Sequence, residues 1–578
     1  MSGKSRKFGR ASGTKQRKDR AQKRGRPATG SGSPGRVPAL FVRHGSYTVA
    51  EPIFVEEKRT IAVPKAARKG AVEGDLVVLS TREVNSSLQG EVARVIGPSN
   101  HPPKVYEALF ASIHTGREFR EKVEQEANEV ASKPLDASGR REDLRALPTV
   151  TIDGADAKDF DDAISVEEKP GGGYRLWVHI ADVTHYLKPN GPLDKQAVWR
   201  ANSVYLPGTV APMLPEKLSN GVCSLRPDED RAAVTAEIDL SKTGEILSSK
   251  VYRSLIHSDA RLTYDVVDSF IEGRDEVPQE ELVRTAYELS VKLKANARDR
   301  GKLQLGGKEP EYEVGADGVP VGVTSRRSTE AHELIEELMV LTNEVIARKL
   351  DSKGLGGVFR VHERPDAKAM AELQVRLAAL GVQVEPEPET LSDIVANSDS
   401  DAVRYMVLRS LPRAHYSPEA NGHFGLALED YTHFTSPIRR YSDVLVHRAI
   451  LGEESPGDVG QLAEHISDRE RKSMVCERTA DDYTLMWLMR DMVGETMEGT
   501  IVTTASFGLF VELEPGATGM VHASKLPGWW ELEESGVVYS NPETGDSYRV
   551  GDRILVELLE ISPIMRRAEL RIVKRIED

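Results

Sequence analysis

Five aspartates fall within ten residues of the segment Thr151–Ala163, TIDGADAKDFDDA: Asp153, Asp156, Asp159, Asp161 and Asp162. Only Lys158 offsets them locally. Like charges packed this closely cost free energy unless solvent separates them or a cation neutralises them. The flanks, Val150 and Ile152 before and Ala163 and Ile164 after, are strand-like and argue against a solvated loop. Asp159 and Asp161 are two apart, so an extended backbone aims both to one side, with Asp162 aimed elsewhere unless the chain bends. Gly154 permits a bend nearby. Converging hard oxygen ligands suit Mg²⁺ or Mn²⁺, and two such ions about 3.5–4 Å apart are a common device for cleaving phosphodiesters. The alternatives are an acidic surface turn and a calcium loop. An EF-hand register starting at Asp156 fails: its third and fifth positions are Lys158 and Phe160, and its sixth is Asp161 where glycine is required.

A cationic counterpart lies far along the chain, in Tyr431–Arg448, YTHFTSPIRRYSDVLVHR. Thr435 or Ser436 can cap a helix and Pro437 suits its first turn, which places Arg439 and Arg440 in that turn. Cations there oppose the helix dipole. A phosphate bound at the helix start would remove the conflict, since arginine matches its geometry with paired donors. The alternative is that the arginines pair with a nearby acid such as Asp443. In Asn202–Gly208, NSVYLPG, Tyr205 precedes a Pro-Gly turn. It could stack on a base, worth about 1–3 kcal/mol, although most tyrosines beside turns are packing residues. Phe359–Pro365 collects Arg360, His362, Glu363 and Arg364, and His179 in LWVHIADV reads as a satisfied core histidine.

These residues need a scaffold, and the chain's 578 residues are enough for about three or four domains. Residues 37–98 read as five short β-branched runs separated by Gly, Pro and charges, which suits a small OB-type barrel. Residues 104–134 read as a helix ended by Pro134. Residues 150–450 mix strands and helices; within them 328–350 is an amphipathic helix with Leu334, Leu338, Val345 and Ile346 on one face, suited to covering a sheet. From about residue 494 to 575 short strands return around an acidic loop, as a second five-stranded barrel.

The net charge of −14 hides an asymmetry: residues 1–36 hold twelve Lys/Arg and one acid, leaving −25 on the remainder. That tail is too polar to offset its ordering entropy and reads as a disordered basic arm, either solubilising or a non-specific phosphate binder. No run is long and apolar enough for a membrane span, and no secretory signal is legible. Cys223 and Cys476 stand far apart, against a disulfide framework and for a reducing cytoplasm. Nothing reads as a coiled coil, so a monomer is expected.

Together these segments resemble the RNB-type exoribonucleases, the family of ribonuclease II and ribonuclease R. The resemblance spans about residues 37–575 and is densest in TIDGADAKDFDDA, WVHIADVTHYL, NSVYLPG, PMLPEKLSNGVCSLRP, FRVHERP and GHFGLALEDYTHFTSPIRRYSDVLVHR. It implies an α+β multidomain fold in which OB-type β-barrels flank a mixed α/β RNB catalytic domain. A cold-shock-like barrel would occupy 37–100, a helical connector 101–148, the catalytic domain 149–490 and an S1-like RNA-binding barrel 494–575. The implied activity is processive 3′→5′ hydrolysis of single-stranded RNA to nucleoside 5′-monophosphates, with Mg²⁺ as cofactor and Mn²⁺ as its substitute. The family's four acidic positions fall on Asp153, Asp159, Asp161 and Asp162, and its catalytic arginine on Arg439. Its base-stacking tyrosine falls on Tyr205 and a late glutamate on Glu477, with Arg440 as a further RNA contact. Relatives clamp the terminal base with a phenylalanine where this chain reads Leu303-Gln304-Leu305-Gly306-Gly307, so the clamp and the end-product length stay open. Two other readings are an RNA-binding or assembly factor that keeps this fold without activity, and a DNA nuclease.

Overall fold

A computed structural model describes residues 35–576 apart from 46, 85–86, 136–140, 305, 307–308 and 399; the basic arm lies almost wholly outside the described residues. Strands β1 (Gly35–His44), β2 (Tyr47–Pro52), β3 (Ile61–Ala62), β4 (Asp75–Val84) and β5 (Ser87–Pro98) close into a barrel in the order β1-β2-β3-β5-β4. The two-residue period of a strand divides its apolar side chains. Val77 and Leu79 join Ala39, Phe41 and Val92 inside the barrel, while Leu76 and Val78 pack outward with Val105, Tyr106 and Leu109 of the helix Pro102–Ser112. The single helix expected over 104–134 is in fact two, Pro102–Ser112 and Glu121–Ala131. His114, at a left-handed φ of 57°, turns the chain between them.

The central layer is a seven-stranded sheet. Its strands are β6 (Glu142–Asp143), β7 (Val150–Asp153), β8 (Asp162–Glu168), β9 (Tyr174–Ala181), β12 (Asp230–Leu240), β13 (Ile246–His257) and β14 (Ala260–Thr263), ordered β14-β7-β8-β9-β12-β13-β6. Between β9 and β12 the chain makes a separate hairpin, β10 (Val204–Leu206) and β11 (Thr209–Ala211), turning at Pro207-Gly208. The helix Glu330–Ser352 buries Leu334, Leu338, Val345 and Ile346 in the same core as this sheet, as their spacing predicts. His179 is a core residue: its ring nitrogens meet Ser165 Oγ at 3.1 Å and Thr235 Oγ1 at 2.8 Å. Burial depresses its pKa to about 3, which keeps the imidazole neutral.

A long helix, Val459–Leu488, leads to the second closed barrel, built from Thr496–Ala505, Gly508–Leu513, Ala517–His522, Arg553–Ser562 and Arg567–Arg575. The stretch expected as an acidic loop instead carries a three-stranded sheet, Glu531–Leu532, Val538–Ser540 and Ser547–Arg549. Trp530 organises it, with ring centroids 6.0 Å from Tyr539 and 5.2 Å from Tyr548. Among the described residues no helix is long and apolar enough to cross a membrane.

Candidate active site

Strand β7 ends on Asp153 and β8 begins on Asp162, so the two carboxyls belong to adjoining strand ends with the loop 154–161 between them. Strand β14 runs parallel to β7 and sets Thr263 opposite Asp153. From β14, Arg261 Nη2 donates to the carbonyls of Gly154 and Ala155 at 2.9 and 2.5 Å, and its guanidinium lies 5.2 Å from the Phe160 ring centre. The loop is therefore folded rather than extended. Phe160 and Asp161 turn inward, while Asp156 stays exposed and outside the cluster.

Side chains from distant stretches meet these carboxylates. Asp161 Oδ1 accepts the backbone N–H of Ile438 at 2.8 Å, and its Oδ2 lies 3.7 Å from Arg439 Nε. The Tyr205 hydroxyl donates to Asp159 Oδ2 at 3.2 Å. The backbone N–H of Tyr205 donates to Glu477 Oε1 at 2.9 Å, which fastens the β10–β11 hairpin to the long helix. Arg360, His362, Glu363 and Arg364 stay apart from the carboxylates. Arg360 pairs with Glu470, Arg364 with Glu389, and His362 is satisfied by the Pro412 carbonyl and the Gly425 N–H.

The arginine segment departs from the expected geometry. The helix begins at Tyr441, not at Pro437, and Arg440 is its N-cap residue. Arg439 sits in the preceding turn and Arg440 at the cap, so neither arginine occupies the first helical turn, and the charge that Arg440 brings to the helix start is offset by Asp443. Arg440 instead makes a two-pronged ion pair with Asp443, Nε to Oδ2 at 2.9 Å and Nη2 to Oδ1 at 2.7 Å. Asp443 supplies the acid that the helix start favours. Arg439 keeps an exposed guanidinium, steadied by Ser436 Oγ at 3.0 Å.

Electrostatically the centre is under-neutralised. Burial, then the charge of Asp162, raises the Asp153 pKa to about 8, against a partial offset from Arg261. Burial raises Asp162 to about 6, opposed by Arg439 and Arg440. Asp161 is also pushed well above the usual carboxylate range by burial, opposed by Arg439 and the Ile438 N–H. Asp153 Oδ2 is buried without a hydrogen-bond partner. An unpartnered oxygen and three carboxyls disfavoured as anions are what a bound cation would relieve, so the donor set fits a hard divalent ion. Among the described residues, however, no three His, Cys, Asp or Glu side chains are closed into a metal-holding group. Asp161 and Asp159 are engaged by Ile438, Arg439 and Tyr205, and Mg²⁺ commonly completes its shell with water and substrate phosphate.

Tyr205, Arg439, Arg440 and Glu477 wall a cavity of about 250 Å³, together with Tyr416 and Glu470. A larger groove of about 1520 Å³ runs past the first barrel, lined by Arg94, Lys104, Arg117, Arg120, Lys195 and Trp199 among others. It also touches Pro207–Thr209, the turn of the Tyr205 hairpin. The groove holds none of the clustered aspartates, which converge with Arg439 elsewhere. Arg261, which shapes the loop, lies on an edge strand with no local signal in the sequence. Asp443, offered by the sequence as a partner for the arginines, pairs with Arg440.

An RNB domain matches residues 141–452 and an S1 RNA binding domain residues 490–572. Ribonuclease R of Vibrio cholerae is 34% identical over 93% of this chain and 70% of its own length. Ribonuclease R of Thermotoga maritima is 36% identical over 85% of this chain and 73% of its own. The solved structure of Mycoplasma genitalium RNase R in complex with ribose-methylated single-stranded RNA superimposes with a TM-score of 0.85 at 28% identity, covering 93% of this chain and 89% of that one. The chain belongs to the RNB family and is a hydrolase of the 3′→5′ exoribonuclease class.

Proposed function

We propose that the protein hydrolyses single-stranded RNA processively from its 3′ end, releasing nucleoside 5′-monophosphates, at the centre formed by Asp153, Asp159, Asp161 and Asp162. The observation that carries this reading is the junction of Asp161 with the Ile438 N–H and Arg439, which brings the acidic loop against a cation held for an anionic substrate. Mg²⁺, with Mn²⁺ as its substitute, would be held by the four aspartates and would supply neutralising charge and a more acidic water. A water oxygen attacks phosphorus, the bond from phosphorus to the 3′ oxygen of the preceding nucleotide breaks, and that oxygen takes up a proton. Arg439 faces the negative charge that gathers on the phosphoryl oxygens. Tyr205, exposed at the cavity wall, offers a ring on which a base can stack. Glu477 holds that ring in place through the Tyr205 N–H. Arg440, tied to Asp443, lines the cavity and contributes positive potential there. The basic lining of the larger groove suits an approaching RNA backbone.

The test uses single-stranded RNA labelled at its 3′ end, with free or blocked 3′ termini, in Mg²⁺ and in EDTA. Mononucleotide release from free ends in Mg²⁺ alone is the expected result. Internal cuts, or equal cleavage of blocked ends, would overturn the exonucleolytic reading, and uncut RNA would leave the binding-factor reading standing. Replacing the 3′-terminal riboses with deoxyriboses separates RNA from DNA specificity, and contacts to 2′-hydroxyls predict slower cleavage of the deoxy ends.

A further inference from the structure

We infer that Asp443 is a positioning residue for Arg439, acting through the turn 436–440; this rests on the functional reading above. Its carboxylate is fully buried and accepts four hydrogen bonds: from the Ser436 N–H at 2.8 Å, from Arg440 Nη2 at 2.7 Å and Nε at 2.9 Å, and from Ser442 Oγ at 2.8 Å. Three of these come from the turn that carries Arg439, and the Ser436 bond spans it. The same turn delivers the Ile438 N–H to Asp161 and places Ser436 Oγ against Arg439 Nη2. It is also stitched to the segment that leads into the Tyr205 hairpin. The Ser203 N–H donates to the Arg439 carbonyl at 3.0 Å, and the Tyr441 N–H donates to the Ala201 carbonyl at 2.7 Å. Asp443 therefore closes a frame that sets the Arg439 guanidinium and the Ile438 N–H together against Asp161.

Ser442 extends the frame, since its hydroxyl lies 3.1 Å from the Tyr416 hydroxyl, which in turn meets His433 Nδ1 at 2.8 Å. The Arg360 guanidinium lies 4.7 Å from the Tyr416 ring centre. The charge on Asp443 does two jobs at once. It fixes Arg440 as the anchored arginine of the pair, and so leaves Arg439, half-exposed beside Asp161, as the one that can face a substrate.

A purely structural acid at this place would change stability alone, whereas a positioning residue changes turnover through Arg439. The test is a double-mutant cycle of Asp443→Asn and Arg439→Ala, read as single-turnover hydrolysis of 3′-labelled RNA, with RNA affinity measured separately on 3′-blocked RNA. Asp443→Asn is expected to slow the cleavage step about 100-fold, the scale of an ångström-level misplacement, with affinity for blocked RNA little changed. In the Arg439→Ala background the same change is expected to add almost nothing, because both remove one contribution. Multiplicative losses, or wild-type turnover in Asp443→Asn, would overturn the inference. Should Asp443→Asn lose its cooperative melting transition, Ser442→Ala replaces it, removing one of the four bonds. A smaller loss of turnover that disappears in the Arg439→Ala background supports the frame, and one that persists there rejects it. Wild-type protein that leaves RNA uncut under all conditions would defeat the functional reading itself, a result separable from any difference among variants.

Discussion

The Tyr205 hydroxyl donates to Asp159 at 3.2 Å, so the residue offered as a stacking platform is tied directly to the carboxylate centre. Its backbone is tied equally firmly, to Glu477 at 2.9 Å. Ring, hairpin and long helix thus form one support, and the ring's two roles can be separated by substitution.

Tyr205→Phe keeps the ring and loses only the bond to Asp159, so turnover should fall less than about 10-fold, consistent with a hydrogen bond worth about 1 kcal/mol. Tyr205→Ala removes the platform, at about 1–3 kcal/mol per stacked base. Short oligonucleotides, held by the fewest contacts, would dissociate first and the limit product would lengthen. Glu477→Gln retains an acceptor for the Tyr205 N–H and should behave like wild type, whereas Glu477→Ala should shift the limit product in the direction of Tyr205→Ala. Denaturing gels of the end products decide the matter; a limit product unchanged in Tyr205→Ala would remove the platform from the account.

Asp162→Asn should abolish hydrolysis while RNA binding survives. The substitution keeps side-chain volume and deletes one carboxylate from a centre already short of neutralising charge. A loss well beyond the 10–100-fold typical of supporting metal-site residues is expected, with filter-binding affinity for blocked RNA nearly unchanged. Near-normal turnover in this variant would defeat the carboxylate mechanism.

The acidic cluster was legible because five like charges within ten residues have few folded solutions, and the barrels because their apolar positions alternate between short turns. The arginine segment was legible in composition but not in geometry. Proline and serine signalled a helix start at Pro437, yet the Asp443 carboxylate captures the Ser436 N–H and Arg440 and delays the helix to Tyr441. No local rule anticipates a bond such as Ile438 to Asp161, between residues 277 apart in the chain, or the parallel pairing that carries Arg261 to the loop. The helix break at His114 has a smaller cause: a positive φ is uncommon for any non-glycine residue, and even histidine, enriched there, adopts it too seldom to mark a break.

Away from the site, Arg448 and Asp194 form a fully buried ion pair at 2.8 Å, with the Tyr441 hydroxyl bonded to both. This cluster holds the helix Tyr441–Leu451 against the helix Pro192–Arg200. Asp194→Ala leaves the Arg448 charge uncompensated and should cost about 3–5 kcal/mol. Urea denaturation of the purified protein measures it; a change under about 1 kcal/mol, the worth of a solvent-exposed pair, would contradict the buried assignment. Turnover per folded molecule should be affected far less than in Asp162→Asn, because neither partner touches the carboxylates.

Finally, the carboxylate centre sets a pH dependence whose sign can be derived. Asp153 and Asp162 have folded-state pKa values of about 8 and about 6, raised from 3.8, chiefly by burial. A raised carboxyl binds more protons folded than unfolded, so its contribution favours folding most below its unfolded value and is lost as pH rises through the folded one. Without divalent ions, stability should therefore decline from mildly acidic pH toward about pH 8, the folded value for Asp153. Mg²⁺ at the proposed site should reverse the trend. It requires the anionic ligands, so binding expels the protons that burial retains, and affinity climbs over the same interval. Thermal melts across pH 5–8.5, with EDTA and with Mg²⁺, should show the two curves diverging as pH increases. Titration calorimetry in buffers of different ionisation enthalpy should show proton release near pH 7 that shrinks in Asp162→Asn. Parallel melting curves, or Mg²⁺ affinity independent of pH, would show that these two carboxyls do not hold the ion.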